Sequence, residues 1–227
     1  MLALKLGLSL TSSNNPGGWL PTDEESLQAW YQNKVGVAFA PTVTQWADSS
    51  KNGVDMDQYT VSEQPAYVPA TGEVVFNKSN SNNLQSSSQI ILDDNFTIGL
   101  RIEPGSSVAG TFLADNTTSG ELFKYQTNSR ITVKIDGSPS TSLDLDSGTF
   151  GDDYLIITRT ANVLRLYQNG VKQTGTTPTL GGGADIDAIG VRATDLNAFD
   201  GKIKEIQIYN TSSAALLANI NNRLSTL

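Results

Sequence analysis

Tyr154-Leu-Ile-Ile-Thr-Arg-Thr-Ala-Asn-Val-Leu-Arg-Leu-Tyr-Gln-Asn-Gly-Val171 is the stretch on which the fold turns. Residues 154–159 and 163–168 are two apolar-rich runs of strand length, joined through Thr160-Ala161-Asn162. In the second run Val163, Arg165 and Tyr167 alternate with Leu164, Leu166 and Gln168, the period-2 pattern of a strand with two usable faces. Asn169-Gly170 then reverses the chain again, because that dipeptide accepts the positive φ of a type I′ turn. Two tight reversals in eighteen residues specify an antiparallel meander.

Working outward, strands recur about every ten residues, the spacing of a sandwich or barrel. Upstream they are expected at residues 96–102, 108–114, 121–126 and 131–135, each followed by Gly, Asn, Asp or Pro, and earlier at residues 43–46 and 73–76. Downstream they are expected at 184–191 and 202–209, beyond the link Gly181-Gly182-Gly183. Residues 77–88, rich in Asn and Ser, read as surface loop. Two short helices flank the strands. One is expected over residues 23–31, opened by Thr22 with Glu25 as a capping box and placing Leu27 and Trp30 on one side. The other follows a cap at Thr211 or Ser212 and carries Leu216, Leu217, Ile220 and Leu224 as one stripe. The expected fold class is all-β, an antiparallel sandwich with two short helices. Two regions are expected: an extended arm and linker at residues 1–18, and the sandwich at residues 19–227.

Composition removes whole classes of function. The 227 residues contain no cysteine and no histidine. Disulfides, thiolate metal sites, thiol nucleophiles and histidine-based triads are therefore excluded. A resident metal would need oxygen ligands, with calcium the natural candidate. Fifteen basic against 23 acidic side chains give a net charge of −8, which disfavours nucleic acid as a partner. No run approaches the length of a membrane span. At the N-terminus Leu2, Leu4, Leu6, Leu8 and Leu10 alternate with other residues, so all five fall on one strand face. The connector Thr-Ser-Ser-Asn-Asn-Pro-Gly-Gly (residues 11–18) separates them from the rest, and no export signal is read there.

The quoted hairpin, together with Phe199-Asp-Gly-Lys-Ile-Lys-Glu-Ile-Gln-Ile-Tyr209 and the helix after it, resembles the laminin-G-like domains of the concanavalin A-like lectin/glucanase superfamily. The leading segment is similar to versions of that domain found in bacteriophage virion proteins. It comprises Leu27-Gln-Ala-Trp-Tyr31, Val43-Thr-Gln-Trp-Ala-Asp-Ser-Ser-Lys-Asn-Gly53 and Gln64-Pro-Ala-Tyr-Val-Pro69. The resemblance implies a jelly roll whose members include lectins, glycanases and structural modules.

The chemistries are then weighed. Glycosidases of this fold carry closely spaced carboxylates, and a retaining mechanism needs them about 5 Å apart. The local pairs here, Asp144/Asp146, Asp55/Asp57 and Asp185/Asp187, lack an accompanying Glu, so no enzyme is expected. A rim site for a ligand or calcium would draw on Asp115, Asn116, Asp195 and Asn197. Trp19, Trp30 and Trp46 are expected in the core rather than on sugar rings. The first expectation is a non-enzymatic virion protein of the capsid decoration, knob or fibre type. It would sit on the virion surface as a homo-oligomer, with a trimer the first guess. The arm leucines would hold it to a major capsid or tail protein. The alternative is a lectin for cell-surface glycans.

Overall fold

The computed structural model describes residues 18–106, 109–116, 122–135, 138–192 and 197–227. The arm leucines lie outside the described residues, as does Asp195. Seventeen strands follow one another among the described residues: β1 (Leu27–Tyr31), β2 (Val37–Phe39), β3 (Val43–Trp46), β4 (Met56–Asp57), β5 (Ala66–Val68), β6 (Glu73–Phe76), β7 (Leu84–Leu92), β8 (Phe96–Pro104), β9 (Gly110–Ala114), β10 (Leu122–Thr127), β11 (Arg130–Lys134), β12 (Thr141–Asp144), β13 (Asp153–Thr160), β14 (Val163–Gln168), β15 (Val171–Lys172), β16 (Ala184–Ile189) and β17 (Gly201–Tyr209). Among the described residues one α-helix, α1 (Ala214–Leu224), comes after β17.

The strands form two antiparallel sheets. One has the order β15-β14-β13-β8-β17-β6-β5, with β1 pairing β17 off that path. The other has the order β12-β11-β10-β9-β16-β7-β4-β3-β2. The main core lies between them, where Trp46, Met56, Phe76, Phe96, Phe112, Phe123 and Phe199 are buried. This is the expected sandwich, and its central hairpin matches the sequence reading. Ala161 and Asn162 take φ of 49° and 66° between β13 and β14, and Asn169 and Gly170 take 51° and 79° between β14 and β15.

The eight-stranded sheet is buried on both faces. Its outer face is covered by α1, whose Leu216, Ile220 and Leu224 pack with Leu27, Trp30, Ile156 and Tyr209. Gly99 permits that approach, since a Cβ there would lie 2.6 Å from Cγ2 of Ile220. Double coverage explains the one helix expectation that fails. Residues 23–31 are not helical: Pro21–Asp23 makes a single 3-10 turn and Leu27–Tyr31 is a strand on β17. Leu27 and Trp30 face α1 while Ala29 and Tyr31 face the main core, and a strand buried on both faces loses its alternation. Among the described residues α1 therefore stands alone, and its cap is Ser213, whose Oγ accepts from the Leu216 amide at 3.1 Å. The Asn/Ser-rich stretch is also more ordered than expected. It makes one turn at Lys78–Asn80 and then enters β7 at Leu84.

Candidate functional site

The nine-stranded sheet has an outer face that α1 does not cover, and polar side chains line up across it. On β3, Trp46 points into the core and its neighbour Gln45 points away. Gln45 stands opposite Asp57 of β4, and Asp57 stands opposite Gln85 of β7. The row is bonded within itself, Gln45 Nε2 donating to Asp57 Oδ1 at 3.0 Å. Strand spacing makes it about 10 Å long.

Two local irregularities turn this row into a cleft. Along β7 the pairing with β16 jumps from Ile90↔Ile186 to Gln85↔Ala188, so Ser86-Ser87-Ser88-Gln89 bulge out of the ladder and build one wall. On the other side the chain leaves β4 after only two residues and carries Tyr59 outward, 86% exposed. Tyr59, Asp57, Glu63, Ser86 and Asn116 surround an open cleft of about 500 Å³. Its volume is within the range of small-molecule sites.

Beneath the cleft is a floor of bonded amides. Gln58 Nε2 donates to Asn83 Oδ1 at 2.7 Å, and Gln85 Nε2 donates to the same oxygen at 2.9 Å. Asn83 Nδ2 donates to the Ser81 carbonyl at 2.8 Å, and the Thr60 amide donates to Gln58 Oε1 at 2.8 Å. These side chains are fixed before any ligand arrives, which lowers the ordering cost of binding. The chemical offer is an aromatic face beside carboxylate and hydroxyl groups. The Asp57 carboxylate holds the Tyr59 phenol above its usual pKa, so that ring stays neutral at physiological pH.

Asn116 joins this wall from the end of β9, its amide donating to Asp187 Oδ1 at 2.6 Å. Asp187 is 3% exposed. Burial raises its carboxyl pKa, with Asp115 and Asp185 adding to the effect. A carboxyl raised in the folded state subtracts stability above the raised value, and the subtraction fades as pH falls towards the ordinary value near 3.9. Asp187→Asn keeps an acceptor for the Asn116 amide. It is expected to raise Tm at pH 8 and to lose that advantage at pH 4, as read by paired thermal melts.

The structure separates the expected rim residues. Asp115 and Asn116 leave one end of β9, whereas the Asn197 carbonyl accepts from the Thr111 amide, 2.8 Å away, at the other end. Four residues of strand put these positions about 13 Å apart. Of the described members, Asn116 lines the cleft. Among the described residues no group of three carboxylates is placed to hold a metal ion, and Asp195 lies outside them.

The carboxylate pairs are occupied by local bonding. Asp144 takes Arg130 through both oxygens and the Thr176 hydroxyl, and Asp146 accepts from the amides of Thr174 and Gly175. Asp55 accepts from the Asp48 amide. Trp46 is fully buried and Trp30 is 4% exposed, as expected. The aromatic ring most exposed on this face is Tyr59, which the sequence reading missed. Its signal was an aromatic residue in Asp57-Gln58-Tyr59-Thr60, a polar stretch with no apolar partner to bury it.

A family model described as Laminin_G_3, of the Concanavalin A-like lectin/glucanases superfamily, matches residues 76–215, more than half of the chain. No curated protein matches the chain. Among solved structures it is similar to domain 4 of AbnA, an extracellular arabinanase from Geobacillus stearothermophilus, in complex with arabinotriose. The TM-score is 0.56 at 17% identity, covering 87% of this chain and 97% of that one. It is also similar to the Trypanosoma rangeli sialidase in complex with sialic acid. That TM-score is 0.55 at 12% identity, covering 89% of this chain and 33% of the sialidase. The chain thus spans about a third of the sialidase. At such identities the likeness is one of fold.

Proposed function

Because the chain belongs to the concanavalin A-like lectin/glucanases superfamily, we propose that it is a non-enzymatic carbohydrate-binding module whose ligand lies in the cleft beneath Tyr59. The observation that carries this reading is the exposed Tyr59 ring standing over a pre-bonded floor of amides. Sugars present C–H faces that stack on aromatic rings and hydroxyls that need acceptors and donors. Asp57 and Glu63 supply acceptors and Ser86 and Ser87 supply hydroxyls. The structural relative solved with arabinotriose is itself a single domain of the same fold, which supports the reading without naming this chain's sugar. The virion role drew on the arm leucines, which lie outside the described residues, and on the likeness of residues 27–69 to virion proteins, a segment that precedes the family match at residues 76–215. Among those residues no helix is long and apolar enough to cross a membrane.

A glycan array, run with and without calcium, tests the proposal, followed by titration of the best ligand. Tyr59→Ala is expected to weaken binding about tenfold or more, equivalent to about 1.4 kcal/mol, with Tm unchanged because the ring is exposed. Absence of binding under both conditions, or full affinity in the Tyr59→Ala protein, would overturn it.

A further inference from the structure

At the end of β9 opposite the cleft, cations gather around one buried hydroxyl. Thr111 is 0% exposed and its Oγ1 has no hydrogen-bond partner. Lys124 of β10 stands directly opposite it in the ladder, so the two side chains leave the sheet on the same face. Flanking Phe123 and Tyr125 point into the core, which places Lys124 and Thr111 on the outer face.

From the other side, Thr111 is flanked by Asn197 and Ala198, its amide donating to the Asn197 carbonyl at 2.8 Å, and one residue further the Gly190 amide donates to the Phe112 carbonyl at 3.2 Å. Two residues on, Arg192 has a buried Nε without a partner. Lys78 reaches in as well, its Nζ donating to the carbonyl of Ala109 at 3.1 Å. Among the described residues neither Lys124 nor Arg192 forms a salt bridge. Burial holds the Lys124 ammonium below its usual pKa, with the Arg192 and Lys78 charges lowering it further.

This arrangement is costly as it stands. A chain with 23 acidic side chains against 15 basic ones has brought like charges together and left a buried hydroxyl unbonded beside them. An unpartnered buried donor has given up its hydrogen bond to water without replacement, and the repulsion between the cations adds to that cost. Lys124 paired with Thr111, and within electrostatic reach of the Arg192 guanidinium, offers an ammonium, a guanidinium and a hydroxyl, the donor types that recognise an oxyanion. We propose that Thr111, Lys124 and Arg192 form an oxyanion-binding pocket on the outer face of the nine-stranded sheet, taking a sulfate, phosphate or carboxylate group, free or carried on a sugar. The pocket shares no residue with the Tyr59 cleft and stands whether or not that cleft binds glycans.

The test is an NMR titration of the full chain at constant ionic strength, chloride being exchanged for sulfate, for inorganic phosphate or for a glucuronate-containing disaccharide. Saturable shifts at Thr111, Lys124 and Arg192 are expected, together with a rise in the Lys124 ammonium pKa as the anion offsets the neighbouring charges. Lys124→Gln and Arg192→Gln should each weaken binding about 10- to 100-fold, the range of one charge-assisted hydrogen bond. Thr111→Ser should retain it, as should Tyr59→Ala. Tighter binding of the disaccharide than of either inorganic ion would assign the anion to a sugar, and the reverse would assign it to a free ion. If none of the three probes saturates, or if both Gln variants bind like the parent while still folded, the pocket does not exist.

Discussion

Glu205→Ala is expected to destabilise the protein by about 3–5 kcal/mol, the cost of stripping one partner from a buried ion pair. Glu205 is 0% exposed and accepts from five donors. Arg223 reaches it through Nε and Nη2, the latter at 2.8 Å, Trp30 Nε1 at 3.0 Å, Gln207 Nε2 at 2.7 Å, and the Asn33 amide at 3.2 Å. Removing the carboxylate leaves the Arg223 guanidinium stacked 4.8 Å over the Trp30 ring with its counter-charge gone. Replacing both charges at once, Glu205→Leu with Arg223→Met, should recover most of the loss, since well-packed apolar pairs commonly match buried ion pairs in stability. Urea denaturation of the two single variants and the double variant measures the coupling. A single-variant cost below about 1 kcal/mol would mean that the pair behaves like an exposed one.

A comparable loss, about 3 kcal/mol or more, is expected for Arg159→Met. Arg159 is also 0% exposed, but its partners are backbone carbonyls. It donates to those of Asp93, Asp94, Gly182 and Leu180, and it lies 4.9 Å over the Phe96 ring. The side chain thereby ties the turn between β7 and β8 to the Gly181-Gly182-Gly183 link. Methionine fills the space but strands the carbonyls, each a buried acceptor left unsatisfied. Lysine restores the charge but not the planar fork, so Arg159→Lys should fall between Met and the parent. Hydrogen exchange adds a local readout: amides near Gly182 should lose protection in Arg159→Met. Unchanged exchange there would show that another contact secures the link.

What was legible in the sequence follows from how each element is stabilised. The β13–β14–β15 meander was legible because its determinants are local: alternation between the strands and residues able to take positive φ at both turns. The motif around β17 was legible as a family resemblance. β1 was misread because its apolar residues answer to two different cores, a fact set by α1 far along the chain. The cleft was scarcely legible. Its floor is an amide network joining Gln58, Asn83 and Gln85, and its wall is a bulge in a stretch that composition alone marks as loop. Asn116 was singled out for its residue type, yet the neighbours that give it a role, Asp187 and the Tyr59 segment, come from elsewhere in the chain. The three cations around Thr111 are equally scattered, at positions 78, 124 and 192, and no spacing rule collects them.

The pairing of β1 with β17 also governs the order in which the molecule can fold. The Trp30–Glu205 bond spans 175 residues, and β1 shares the edge of β17 with β6. During synthesis, residues 27–31 emerge early and cannot find their sheet partner until residues 201–209 have been made. Their outer face waits longer still, for α1. Contacts of such long range slow folding and prolong the exposure of apolar strands. The β13–β14 hairpin, by contrast, can form as soon as it leaves the ribosome. Closure of the sandwich is therefore a late event, and a nascent chain halted before residue 201 would display Leu27, Trp30 and Tyr31 to whatever chaperone is at hand.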